Sequence, residues 1–357
     1  MKSKKKINSN KLMIIITIAL FFIMYFTGCM IYQDKGFGRF QTFLNLLINN
    51  AGLLCIVCGM TCVMLTAGID ISVGSLVAMD CMLLAVGMGA GYNAILMMAL
   101  VLVIGVVFGL MQGFFISYLN IQPFIITMAG LFFARGMTAV ISTDQVSITE
   151  KVNALFYGWA NTQINLPEVF GYVNSKGVTM TPFIRIPVIV AILCVIVTFI
   201  MLRYMKFGRA LYAVGGNEMS AKMMGLNVRR IKLKAYVLSS VFCSIGGICY
   251  CMNTMSGAVQ QAKGLEMDAI AAAVVGGTLL TGGVGNVIGS FFGVLIIGTI
   301  STLINTNGKL PSGWSNIAVA ALLCLFIVLQ AVFAAIKDRA GEKAIKGKNI
   351  KVDTVGI

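Results

Sequence analysis

Two aspartates and one arginine stand inside otherwise apolar runs. Asp70 lies in TAGIDISVGS (66–75), where glycines and hydroxyls interrupt two hydrophobic stretches. A charge beside such a break marks a functional site when the runs cross a membrane, because non-helical backbone at that depth must be buried in protein or line a cavity. Asp70 equally suits an interfacial turn in which it caps the next helix, so both readings are open. Asp80 follows ~13 Å into that next helix at ~1.5 Å per residue. Ionised and alone it would be costly there. Arg135, ~20 Å along its own helix from the same side, is the expected partner. An Asp80 that is protonated or hydrogen-bonded inside the bundle is the other reading. Asn45, Asn49 and Asn50 add amides that fit an uncharged polar solute or serve as glue between helices. Asn49, Asp70, Ser72, Ser75 and Asp80 are the candidate contacts for such a solute.

Other chemistries are excluded or disfavoured. The chain has no histidine, which removes Ser-His and Cys-His catalysis. Its ten cysteines all sit in apolar runs, where thiols pack as small hydrophobes. Cys55, Cys58 and Cys62 share a helical face, but no histidine is present to complete a metal site with them. No G-x-x-x-x-G-K-[ST] occurs, so no nucleotide is held by a P-loop. Asp70 and Asp80 do not suggest an intramembrane aspartyl protease, because GVGN (283–286) lacks the aspartate such enzymes place there. No cofactor or metal is expected on this chain.

The elements that must position these residues are membrane spans. Of 357 residues, 59% are hydrophobic and 11% charged, against roughly 25% charged in a soluble globular chain. Apolar runs near the ~20 residues needed to cross a bilayer fall at 12–31, 43–67, 71–90, 93–118, 122–142, 184–204, 233–252, 268–282, 284–305 and 313–336. The expectation is an all-α polytopic membrane protein of about ten helices, some discontinuous, with soft boundaries at 66–75 and 280–290. The first run follows five lysines and contains Phe26-Thr27-Gly28-Cys29, similar to a lipoprotein cleavage box. Its length and the spans after it favour an uncleaved first helix.

Basic residues orient the chain. Of the 27, five lie in the N-terminal segment 1–11, eight between Arg203 and Lys234, and six in the tail 337–357. The remaining eight fall in spans or on the other side. Basic flanks mark the cytoplasmic side, which puts both termini inside, makes 205–232 a cytoplasmic loop and makes 143–183 the largest external loop. The net charge of +15 is explained by span ends and lipid headgroups, not by nucleic acid. Within the cytoplasmic loop Asn217 caps a short helix from Glu218 to Met224, and Gly225 ends it. Met219 and Met223 share one face of it. So short a helix needs something to pack against. A soluble protein docking on it is one reading; a stop-transfer charge cluster with an incidental helical turn is the other.

Glycines at 285, 289 and 293 form a small-residue stripe suited to close helix contact. A faint repeat links TAGIDISVGS (66–75) with TGGVGNVIGS (281–290), matching Thr66, Gly68, Gly74 and Ser75 to Thr281, Gly283, Gly289 and Ser290. Shared turn chemistry explains it as well as a transporter repeat does.

GMTCVMLTAGIDISVGSLVAM (59–79), PFIITMAGLFFARG (123–136), FGRALYAVGGNEMSAKMMGLNV (207–228) and LEMDAIAAAVVGGTLLTGGVGNVIGS (265–290) occur here in one order. Together they resemble the sugar permeases of bacterial ABC importers, in the ribose/xylose/galactose branch, from about Asn45 to Gln330. With WSNIAVAALLCLFIVLQ (314–330), two of these passages look closest to a galactofuranose importer permease. Asp80 departs from the small or hydroxyl residue of such relatives.

The resemblance implies a multi-pass permease of the bacterial inner or plasma membrane, not an enzyme. It implies a second permease subunit, identical or different, an extracytoplasmic sugar-binding protein, and a cytoplasmic ABC ATPase that carries ATP and Mg. Residues 217–225 look like the family's coupling helix, so Asn217, Glu218, Ala221, Met224 and Gly225 are expected to couple to the ATPase. The expected cargo is a monosaccharide such as galactofuranose or ribose. A nucleoside or other furanose, or ion-coupled transport through Asp80 and Arg135, are the alternatives.

Overall fold

The computed structural model describes residues 9–167, 169, 171–173, 179–309, 311, 313–330 and 332. The expected basic segment falls almost entirely, and the tail wholly, outside the described residues. The helices are α1 (Ser9–Ile31), α2 (Phe40–Asn49), α3 (Ala51–Leu65), α4 (Val73–Gly89), α5 (Ala94–Ser117), α6 (Pro123–Ile141), α7 (Ala154–Asn161), α8 (Ile186–Tyr204), α9 (Lys206–Gly216), α10 (Glu218–Met223), α11 (Val228–Thr254), α12 (Leu265–Val275), α13 (Val287–Asn307) and α14 (Gly313–Gln330). Among the described residues seven are long and apolar enough to cross a membrane, or eight if α2 and α3 form one span.

Two expected spans and one expected loop are built differently. The run 43–67 bends by 56° between α2 and α3. The run 268–282 is the 11-residue α12, which stops at Gly276. Beyond it Gly277, Gly282 and Gly283 have positive φ, a backbone state that glycine adopts without the steric penalty of a Cβ. In the loop 205–232, Lys206–Gly216 is helical, its buried Leu211 and Val214 facing the bundle.

The core is α3 and α11. Every residue of α3 is buried, and α11 packs on α5, α3 and α4. Small residues bring these backbones together, in the absence of any hydrophobic drive between helices in lipid. A Cβ on Gly59 would sit 2.7 Å from Ser239 Cα, and one on Gly109 2.6 Å from Val237 Cα. Gly105 and Gly113, four residues to either side of Gly109, meet α11 likewise. In α13, Gly289 and Gly293 lie on the backbone of Gly276 and Ala272.

Helix ends sort to two sides. On one, Lys35 Nζ donates to Thr306 O at 2.5 Å, and Phe183 N donates to Gln41 Oε1 at 2.8 Å. Short strands join there: β1 (Val146–Ser147) pairs with β6 (Ser256–Gly257), β2 (Gln163–Asn165) with β5 (Phe183–Arg185), and β3 (Tyr172–Val173) with β4 (Thr179–Met180). On the other side Gly283 N donates to Leu65 O at 3.0 Å, and Tyr212 Oη to Gly285 O at 2.9 Å. This second face carries the basic stretch 203–234 and is called the inner side.

Candidate functional site

The first break lies at the inner end of α3. Ala67, with φ 60, turns the chain out of the helix. Asp70 then accepts at Oδ1 from Ser72 N at 3.1 Å and Ser72 Oγ at 2.6 Å, and at Oδ2 from Ser239 Oγ at 3.0 Å. Gln112 Nε2 of α5 donates to Ser72 Oγ at 3.0 Å. Asp70 thus knots the break to α11 and, through Ser72, to α5. It is 1% exposed, so the turn it closes is a buried junction.

Ser75 and Asp80 are also buried, yet among the described residues no well-formed hydrogen bond reaches Ser75 Oγ or either Asp80 carboxylate oxygen, although the Ser244 hydroxyl lies beside Asp80. Asp80 lies against α11, where a Cβ on Gly247 would be 3.0 Å from its Cβ and Oδ2. Unpartnered hydroxyls of Ser240 and Ser244 belong to the same helix. The expected Asp80–Arg135 pair does not form. Arg135 Nη1 instead donates to the carbonyls of Val259 and Gln261 at 2.6 and 2.7 Å, because a non-helical segment there leaves carbonyls open that a helix would have closed. Ion-coupled transport through that pair loses its basis. Asn49 stands apart as well. It is exposed where α2 meets α3, and the 15 residues of α3, ~22 Å at ~1.5 Å each, separate it from the break holding Asp70.

The second break, 276–286, touches the first: a Cβ on Gly282 would lie 2.7 Å from Ala67 N. The faint repeat therefore corresponds to two helix–break–helix units whose breaks meet on the inner side. Thr61 Oγ1 and Ser290 Oγ, 2.9 Å apart, bond between them. Tyr212 of α9 ties the inner loop to the second break, and burial pushes its phenol up to about 12, so it stays a donor at neutral pH.

Beside the breaks lies α10. Asn217 Oδ1 accepts from Ser220 N at 2.8 Å, capping one end. Gly225, with φ 81, closes the other: Gly225 N donates to Lys222 O and Leu226 N to Ala221 O, at 3.0 and 3.1 Å, the pairing of a Schellman motif. Ala221 is fully buried, whereas Met219, Met223 and Met224 are exposed at 66%, 83% and 69%. Glu218 pairs with Lys232 of α11 at 2.6 Å. Ser117, Asn120, Glu218, Lys222, Arg229 and Lys232 help to line a groove of about 590 Å³ beside it.

Residues 42–329 match the family described as the branched-chain amino acid transport system / permease component. The chain belongs to this permease family. The permease is 38% identical to the inner membrane ABC transporter permease protein YjfF of Escherichia coli (strain K12), over 89% of this chain and 91% of that one. It is 32% identical to the fructose import permease protein FruG of Bifidobacterium longum, over 89% and 90%. With the ribose import permease protein RbsC of E. coli it shares 34%, over 76% and 79%. No solved structure matches it. The permease is a multi-pass inner-membrane transporter component and not an enzyme.

Sequence reasoning missed two features near the site: the helix α9, and the segment that Arg135 holds. Arg135 itself was legible as a charge within a span; the carbonyls it serves were not.

Proposed function

We propose that this permease carries a monosaccharide into the cell as the membrane subunit of an ABC importer, with ATP hydrolysed by a separate ATPase seated on α10. The family and the names of the fructose and ribose relatives support the sugar class. Galactofuranose is the finer reading, from the passages at 123–136, 265–290 and 314–330. An extracytoplasmic binding protein delivers the sugar, and a second permease subunit completes the pathway.

The observation that carries the coupling reading is α10. Three methionines stand exposed on a helix pinned at both ends, and flexible thioether side chains suit a partner's apolar groove. Asn217, Glu218, Ala221, Met224 and Gly225 shape and anchor this knob. ATP-driven closure of the ATPases then moves α10, and its neighbours α9 and α11 carry the motion to both breaks. Asp70 and Ser72 hold the first break, and Ser75 and Asp80 keep spare oxygens for sugar hydroxyls once α4 and α11 part.

Purification from native membranes in mild detergent tests this. An ATPase should co-purify with the unaltered permease and be lost from a Met219→Glu/Met223→Glu variant that still folds. A chain that purifies alone across several gentle detergents would overturn the reading.

A further inference from the structure

Between α11 and α12 the chain descends through the membrane without a helix. Gly257 lies on α4, where a Cβ would be 2.7 Å from Met82 Cα, and Ala262 O and Glu266 lie on Gly74 of the same helix. The segment therefore runs down about eight residues of α4, or ~12 Å. Its backbone is held in conformations that side chains rarely adopt: Met255 and Ala262 have φ 49 and 55. Such residues persist only where their surroundings over-determine them, and they cluster at functional sites. Arg135 supplies the restraint through the carbonyls of Val259 and Gln261. It lies ~18 Å along α6, a helix ~28 Å long, and so well within the membrane.

Open backbone at that depth must be buried or face a cavity. Ser256, Gly257 and Ala262 are buried against the bundle. On the other face Gln260, Lys263 and Met267 are exposed, and Glu266 and Asp268 partly so. An amide, an ammonium and two carboxylates do not face hydrocarbon at mid-depth. Arg135 and Lys263 balance Glu266 and Asp268 in charge, which suits a neutral ligand. Amide and ammonium donors beside carboxylate acceptors match hydroxyls, which both donate and accept. Glu266 Oε2 is buried against Gly74 of α4 and has no hydrogen-bond partner among the described residues.

We propose that residues 258–268 form a wall of the translocation pathway, where Gln260, Lys263 and Glu266 bind an uncharged polyhydroxy solute, with Arg135 as the positioning residue behind them. The ligand class rests on the importer reading; the position of the wall does not.

The test uses the full transporter with its partners in membrane vesicles, with Cys29→Ser and Cys324→Ser as background. Single cysteines replace Gln260, Lys263 or Met267, with Val107 and Val140 as outward-facing controls, exposed at 59% and 78%. The probe is a permanently charged, membrane-impermeant methanethiosulfonate present on both sides. It reacts with thiolate, which forms in water and not in lipid. Labelling at the three positions should be at least about tenfold faster than at the controls. Added monosaccharide should slow it. In the Arg135→Met background the pattern should be lost, and Arg135→Lys should restore it. Control-level labelling at all three positions would overturn the wall, whether lipid or a second permease covers the face. Fast labelling that no monosaccharide protects would support the wall and count against the sugar reading.

Discussion

Asp80 is the residue on which sequence and structure bear most directly. Its position in an apolar run was legible, because a carboxyl amid leucines and methionines is an outlier on any transfer scale. Its surroundings were not legible, since which helix faces α4 at that turn depends on glycine contacts between α11 and its neighbours. The structure buries it against Gly247, with the Ser244 hydroxyl of α11 beside it as a weak donor and no well-formed hydrogen bond to either oxygen among the described residues. A buried polar group in that state costs about 1–3 kcal/mol. Asp80→Ser, which removes the carboxyl and keeps a hydroxyl, should therefore raise stability by about 1–3 kcal/mol in thermal unfolding of the detergent-purified protein. If Asp80 binds the sugar once α4 and α11 part, the same variant should weaken uptake while stabilising the fold. A variant that loses stability would mean the carboxyl has a partner.

At the scale of elements, strong periodic runs and local caps were legible and breaks were only partly so. α10 follows from Asn217 and Gly225, because capping is chemistry of neighbouring residues. α9 was missed because its basic residues read as loop, although Leu211 and Val214 mark a buried stripe. α12 is shorter than expected because Gly276 and Gly277 end it where hydrophobicity alone would have carried it on. Gly225 gives this scale its prediction. Its φ of 81 is a state that a β-branched residue adopts only under strain, of about 1–3 kcal/mol. A Cβ there would meet nothing within 4 Å, so the effect is on the backbone turn and not on packing. Gly225→Val should leave the membrane helices folded while unseating the end of α10. Expected are near-normal yield and melting temperature, ATP hydrolysis that proceeds, and sugar uptake at least about tenfold lower. Normal uptake by this variant would remove α10 from the coupling route.

For the whole molecule, the alternation of spans read from the sequence makes a demand on the fold that no single helix can satisfy. Segments assigned to one face must meet one another and none from the opposite face. They do: Lys35 reaches Thr306, Gln41 reaches Phe183 and β1 pairs with β6, while Leu65 meets Gly283 and Tyr212 meets Gly285. The geometry separates two faces without saying which is cytoplasmic; that comes from charge, since eight basic residues crowd 203–234. The closing prediction joins the two arguments. In intact cells, with Cys29→Ser and Cys324→Ser as background, cysteines replacing Lys35, Lys151 or Lys309 should react with a membrane-impermeant maleimide. Cysteines replacing Asn120, Lys222 or Met223 should react only after permeabilisation. The reverse pattern would leave the fold standing and invert the transporter, placing α10 where no cytoplasmic ATPase could reach it. A mixed pattern within either set would break the two-faced fold itself.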